Sequence, residues 1–357
     1  MAIFTDVFDD VTKLGRKIPT SDYQENGEHP IIDQGQNEIA GYTDETDGLF
    51  TDVPAIIFGD HTRVVKYVDT PCFLGADGVK LLKAKNPQAN HKYLYHVLAN
   101  AKIPNTGYNR HFKWLKEVNI PLPNEAEQQR IVEVLDRLDD LIAMRKEQLA
   151  KLDELVKARF VEMFGNNTDS GVPLRDCCID VRGGGTPSMQ HPEYYGGNVP
   201  FIKSGDVRGD LVHSGTLWLT EKALSDTPAK FVPKGAVLVV NRSAALLREF
   251  RAAIAEQPVV INQDIKAFIP KPEYASEYLL WAIKIQTQYL LTRVTTVLTS
   301  HIDLKDLLEL KIMPASCEEQ ALFTQFISET NKTKLTIQAS LDKLEVMKKA
   351  LMQEYFG

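Results

Sequence analysis

The chain has 357 residues, of which 43% are hydrophobic and 25% charged, with a formal net charge of −7. That balance excludes a largely disordered polypeptide and leaves room for two or three ordinary domains. No apolar run approaches the length of a membrane helix, and the acidic opening Met-Ala-Ile-Phe-Thr-Asp is the reverse of a secretory signal. Cys72, Cys177, Cys178 and Cys317 show no C-x-x-C spacing, which argues for a reducing cytoplasm and against a zinc or disulfide frame. No segment is strongly basic, so attraction to phosphates alone would be weak.

Residues 1–123 read as a first α/β (α+β) globule. Short β-rich runs, Pro30-Ile-Ile-Asp-Gln-Gly, Ala55-Ile-Ile-Phe-Gly-Asp and Asp77-Gly-Val-Lys-Leu-Leu, sit between Gly, Asp, Asn and Pro turns. A helix is expected near 92–100. Two polar loop clusters stand out: His61, Thr62 and Arg63 with Lys66, and Tyr108, Asn109, Arg110 and His111. Arginine can pair with guanine and asparagine with adenine, while Lys, Ser and Thr hold phosphates, so these are candidate DNA contacts. His61 beside Asp60 reads better as a solvated turn than as an acid–base pair.

Residues 124–165 predict one long helix. Asn124 is a good N-cap, Glu125 and Glu127 suit the positive end of the helix dipole, and no Pro or Gly interrupts 125–164. Leu135, Ile142, Leu149 and Val156 recur every seven residues, the spacing of a coiled-coil seam.

Residues 166–315 read as a second α/β globule carrying echoes of the first. Pro200-Phe-Ile-Lys-Ser-Gly resembles the run at Pro30, Ala236-Val-Leu-Val-Val-Asn the run at Ala55, and Asp264-Ile-Lys-Ala-Phe the run at Asp77. A helix is expected over 277–291. Candidate DNA contacts here are Arg182 beside Gly183-Gly-Gly-Thr, Lys203 and Ser204 with Arg208, Asn241, Arg242 and Ser243, and Arg248 with Arg251. The glycines lack the spacing and lysine of a phosphate cradle and read as a turn.

Residues 316–357 repeat the first helix. Segments 115–165 and 307–357 align without a gap at an offset of 192, matching Glu127-Gln128 to Glu319-Gln320 and ending alike on Phe-Gly. Phe323, Ile337, Leu341 and Leu344 supply its seam, which weakens at the polar stretch Asn331-Lys-Thr-Lys334. The helices can pair with one another.

No P-loop, H-E-x-x-H, G-x-S-x-G or Asn/Asp-Pro-Pro-Tyr run is present, so a stand-alone enzyme is not expected. A DNA-recognition subunit and a coiled-coil interaction scaffold remain as readings.

Globule, proline-preceded long helix, globule, second helix, with the Glu-Gln pair early in each helix, resembles the specificity subunit of type I restriction–modification systems. Gly183-Gly-Gly-Thr-Pro187, the run from Tyr194 to Asp206, and Leu238-Val-Val-Asn241 are similar to stretches of its target-recognition domains. The resemblance implies that each globule reads half of a split, asymmetric double-stranded DNA site. It implies an antiparallel coiled coil in a pseudo-twofold arrangement that fixes the gap between half-sites and docks two modification subunits. Those subunits would carry S-adenosylmethionine and methylate adenine, restriction subunits would join them, and this chain would hold no cofactor or metal.

Overall fold

The computed structural model describes residues 1–75, 78–107, 109–166, 171–296 and 299–357. The chain forms two compact units, one of Met1–Lys146 with Ala339–Gly357, the other of Glu147–Gln338.

In the first unit an antiparallel sheet runs in the order Phe8–Asp10, Val79–Ala84, Ala55–Gly59, Val65–Val68. All five residues of Ala55–Gly59 are buried, which is why this strand reads as a continuous apolar run rather than an alternating one. A second sheet places His29–Ile32 between Gly41–Thr43, antiparallel, and Phe73–Leu74, parallel. The expected helix forms as His91–Ala99, with the Asn90 carboxamide accepting from the Tyr93 amide at 3.0 Å. Its apolar face (Tyr93, Leu94, Val97, Leu98) shares a core with Ile131, Val132 and Leu135 of the central helix and Met352 of the C-terminal one.

The second unit keeps this plan on a larger scale. One sheet runs Cys178–Gly183, Ile265–Pro270, Val237–Val240, Ala252–Ala255, Leu211–Val212. The other runs Leu217–Leu219, Tyr195–Ile202, Val259–Ile261, Phe231–Val232. The three sequence echoes fall on equivalent strands: Ile31↔Phe73 and Phe201↔Val260 are the same parallel pairing, and Ile57↔Leu81 and Leu238↔Ala267 the same antiparallel one. The helix expected over 277–291 is broken into Ser276–Lys284 and Thr287–Thr292, with Gln286 turning its side chain back to the Ala282 carbonyl at 2.8 Å.

Each unit is closed by a two-residue pairing, Ala2↔Ile120 in the first and Val172↔Ile312 in the second. Each also uses a buried tyrosine in the same way. The Tyr93 hydroxyl donates to the Pro121 carbonyl at 2.9 Å, and the Tyr278 hydroxyl donates to the Met313 carbonyl. Pro121 and Met313 are 192 residues apart, so the helix repeat extends into the globules as a shared hydrogen bond.

The long helices are Glu125–Phe164 and Cys317–Phe356, 40 residues each. Both start as their caps foretell. The Asn124 side chain accepts from the Glu127 amide at 2.9 Å, and Ser316 and Glu319 form a reciprocal capping box. Within the first unit Asp139 meets Lys348, Arg145 meets Ser340 and Lys146 meets Glu345. Within the second, Asp153 meets Lys334, and Phe160 and Phe164 meet Phe323. Rising numbers on one helix face falling numbers on the other, so the pairing is antiparallel in both units. Of the expected seam, Leu135, Ile142, Val156, Phe323 and Leu341 are buried and Leu149, Ile337 and Leu344 half-buried. Lys334, in the polar stretch, forms an ion pair with Asp153 instead of an apolar contact.

Candidate functional site

Strand ends gather the candidate residues. In the first unit the strands ending at Asp10, Ile32, Gly59 and Leu74 and those starting at Val65 and Val79 share one edge. Asp60, the first residue beyond Ala55–Gly59, ties that edge together. Its amide donates to the Gly78 carbonyl at 2.6 Å and its carboxylate accepts from the Phe112 amide at 2.7 Å. Its carbonyl accepts from the His111 amide at 2.7 Å and lies 2.9 Å from His111 Nδ1. Loop 60–64 and segment 109–112, far apart in sequence, are thereby one surface.

On that surface Thr62, Asn109 and Arg110 are exposed and His61 and Arg63 half-buried. The Thr62 hydroxyl donates to the Gln34 carbonyl at 2.7 Å, and Arg63 reaches the Ile103 carbonyl at 3.3 Å. Arg63 has φ +63°, a left-handed conformation uncommon outside glycine, in the tight turn between two strands. Exposed Lys113 and Lys116 extend the basic face, their ammonium groups lying 4.1 Å from the Trp114 ring and 4.9 Å from the Phe112 ring. Tyr108 lies outside the described residues.

The second unit builds its edge the same way. Asn241 follows Val237–Val240 as Asp60 follows its strand. Its amide donates to the Asp264 carbonyl at 3.0 Å, its carbonyl accepts from the Ile302 amide at 2.8 Å, and its Nδ2 donates to the Ile302 carbonyl at 3.4 Å. Ser243 bonds the Ser300 carbonyl at 3.0 Å, and Arg242 bridges to His301. Arg242 and Arg248 are exposed; Arg251 pairs with Glu249 at 2.7 Å. The glycine stretch runs against the adjoining strand end: the Gly185 amide donates to the Ile261 carbonyl at 3.0 Å, and a Cβ on Gly184 would stand 2.1 Å from that oxygen. Gly184 is thus a site of close backbone approach that a side chain would block. Lys203 and Ser204, half-buried, follow the strand Tyr195–Ile202, and the Asn262 amide donates to the Ile202 carbonyl. Arg182 is held by Asp180 at 2.7 Å and by the Phe231 carbonyl at 2.9 Å, and Arg208 bonds the Gly205 carbonyl.

Three sequence candidates do not face outward. Lys66 is 3% exposed, His111 0% and Asn241 8%. Lys66 donates to the Asn37 carbonyl at 2.5 Å and pairs with Asp33, while burial pushes its ammonium below the usual lysine range against the opposing pull of Asp33 and Glu38. A side chain spent on internal bonds in this way holds loops rather than touching a ligand. Conversely, sequence reading passed over Gln34, which supports the turn at His61 (3.1 Å), and Thr186 and Gln263, both exposed and bonded to each other at 2.6 Å. The echo of Ala55–Asp60 at Ala236–Asn241 was the signal that could have marked this edge. Among the described residues no His, Cys, Asp and Glu group could hold a metal ion, and no helix is long and apolar enough to cross a membrane.

The family model described as type I restriction modification DNA specificity domain matches this chain twice, at residues 5–154 and 172–346. The chain is 25% identical over 361 residues to the specificity subunit of the Escherichia coli type I restriction enzyme EcoR124I/EcoR124II, covering 95% of this chain and 88% of that protein. Among solved structures it resembles the S subunit of a type I restriction-modification system from M. genitalium, with a TM-score of 0.57 and 16% identity over 100% of this chain and 95% of that one. A chain from a structural study of type I R-M complex assembly and conformational transition gives a TM-score of 0.52 at 19% identity, with the same coverage.

Proposed function

The chain belongs to the type I restriction modification DNA specificity family, and from that premise we propose that it reads a bipartite, asymmetric DNA site, one half with each unit. The observation that carries this is the duplicated edge. Both units join the loop after their central buried strand to the segment before their long helix, and both line the result with Arg, Lys, Asn and Ser/Thr. Such side chains make base-edge and phosphate contacts. The loops differ in sequence while the frame repeats, which suits two different half-sites.

The same reading extends to the remaining roles. The paired helices dock two modification subunits, and exposed apolar side chains on the C-terminal one, Leu322, Leu335, Val346 and Met347 at 52–71% exposure, support a protein-covered surface there. Those partners bind S-adenosylmethionine and methylate adenine, restriction subunits complete the complex in the cytoplasm, and this chain contributes recognition without catalysis. A net charge of −7 fits a chain whose phosphate contacts are shared with partners.

Methylome sequencing of cells with and without this gene tests the reading. A split adenine motif that disappears with the gene is expected; its presence in both, or absence from both, refutes it. The purified complex should also prefer that site over scrambled DNA at every salt concentration, whereas a scaffold would show no preference.

A further inference from the structure

We propose that Asp60 and Asn241 are equivalent positioning residues, each holding the reading loops of its own unit and so setting recognition of one half-site; this rests on the DNA-reading function above. Both follow the buried central strand directly, Ala55–Gly59 or Val237–Val240. Both are buried, at 5% and 8% exposure, where polar side chains are costly unless they are bonded. Each spends its bonds on the same two neighbours. The Asp60 and Asn241 amides donate to the turn before the next sheet strand, at Gly78 and Asp264. Their acceptors hold the segment ahead of the long helix, at His111 and Phe112 or at Ile302.

The polar character of this edge is concentrated in buried groups. Asp60, His111, Asn241, Asn262 and Ser300 make up half of the ten buried polar or charged side chains among the described residues. Three of them retain a buried atom without a partner: His111 Nε2, Asn241 Oδ1 and Asn262 Oδ1. Polar groups held in such places at a desolvation cost mark a geometry that packing alone does not demand. The exposed side chains that can reach bases, Thr62, Asn109 and Arg110 in one unit and Arg242 and Arg248 in the other, hang on backbone fixed by these bonds. Both backbone carbonyls accept from the segment ahead of the helix, but the Asp60 side chain accepts, from the Phe112 amide, whereas the Asn241 side chain donates, to the Ile302 carbonyl, so the same frame is held by opposite side-chain chemistry in the two units.

The test uses the full chain assembled with the modification subunit of its own system, and a panel of duplexes carrying single base changes in either half of the wild-type site. Methylation rates are measured for Asp60→Ala, the milder Asp60→Ser, the oxygen-retaining Asp60→Asn, and Asn241→Ala. Discrimination at one half-site should fall roughly tenfold in Asp60→Ala and Asp60→Ser, the size of one lost base-reading contact, with the other half-site unchanged. Asn241→Ala should do the same at the opposite half-site, and Asp60→Asn should restore most of the loss. Amide exchange at Phe112 should quicken in Asp60→Ser and not in Asn241→Ala. A uniform rate loss without altered discrimination, or equal loss at both half-sites, overturns the proposal. A wild-type complex that discriminates at neither half-site overturns instead the DNA-reading premise.

Discussion

Replacing Phe160 by alanine tests the antiparallel pairing in the second unit most directly. Phe160 is fully buried, and its ring lies 4.8 Å from Phe164, 5.6 Å from Tyr278 and 5.2 Å from Phe323, centroid to centroid. It thus joins the end of the central helix, the start of the C-terminal helix and the helix Ser276–Lys284 in one aromatic cluster. Truncating a buried Phe to Ala costs about 3–5 kcal/mol through lost transfer energy and the remaining cavity. At about 2–4 °C per kcal/mol for a unit of this size, the melting temperature should fall by about 6–20 °C. Trp281 shares the same core and reports its loss by fluorescence. Phe323→Ala should cost a similar amount. The double variant should lose less than the sum, by about 0.5–1.5 kcal/mol, because the two rings share a T-shaped contact. As a control, Lys146→Met removes only an exposed pair with Glu345 and should shift the melt little. If Phe160→Ala melts within a degree of wild type, the aromatic junction between the helices is wrong.

Ser316→Ala removes the hydroxyl of a reciprocal capping box and should destabilise the chain by about 0.5–2 kcal/mol in urea titration; no change would show the first turn held by other contacts. Among the cysteines, burial pushes the Cys72 thiol up to about 11 and Cys178 up to about 12, and Cys177 is also buried, whereas Cys317 is exposed. Mass spectrometry after alkylation at pH 8 should therefore find one label on the native chain, at Cys317, and four after denaturation. His96, buried against Asp136 at 3.2 Å, is held below the ordinary histidine value by desolvation, opposed by its bond to Asp136. A base whose folded pKa is depressed stabilises above its unfolded pKa, near 6.5, and that stability is lost as pH falls through the folded value. Stability should accordingly decline below about pH 6.5, and His96→Gln should flatten that part of the profile; an unchanged slope would exclude His96 as its source.

The helices were legible because their information is local. Heptad spacing, cap residues and the absence of Pro and Gly over 40 positions determine a helix without help from distant contacts. The three strand echoes were legible for a similar reason, being buried runs bounded by turns. The loop clusters were harder. Lys66, His111 and Asn241 have the chemistry of DNA contacts, and only their tertiary hydrogen bonds to the carbonyls of Asn37, Asp60 and Ile302 show where that chemistry is spent. The tyrosines at 93 and 278 were invisible for the opposite reason: each satisfies a carbonyl some 30 residues away, a partnership that no spacing within the helix announces.

The short pairings Ala2↔Ile120 and Val172↔Ile312 have a consequence beyond stability. They bring the entrance and the exit of each globule side by side, so the chain enters and leaves it at adjacent points, and the rest of its hold on the helices is side-chain packing such as that of Tyr93 and Val97 on Ile131 and Leu135. A globule mounted in that way is a cassette. Another of similar build could be grafted between the same two points, leaving the helix it feeds unchanged. Exchange at 2–120 or 172–312 should therefore move recognition between chains as a whole, whereas cuts inside either interval would sever strands that pair across it.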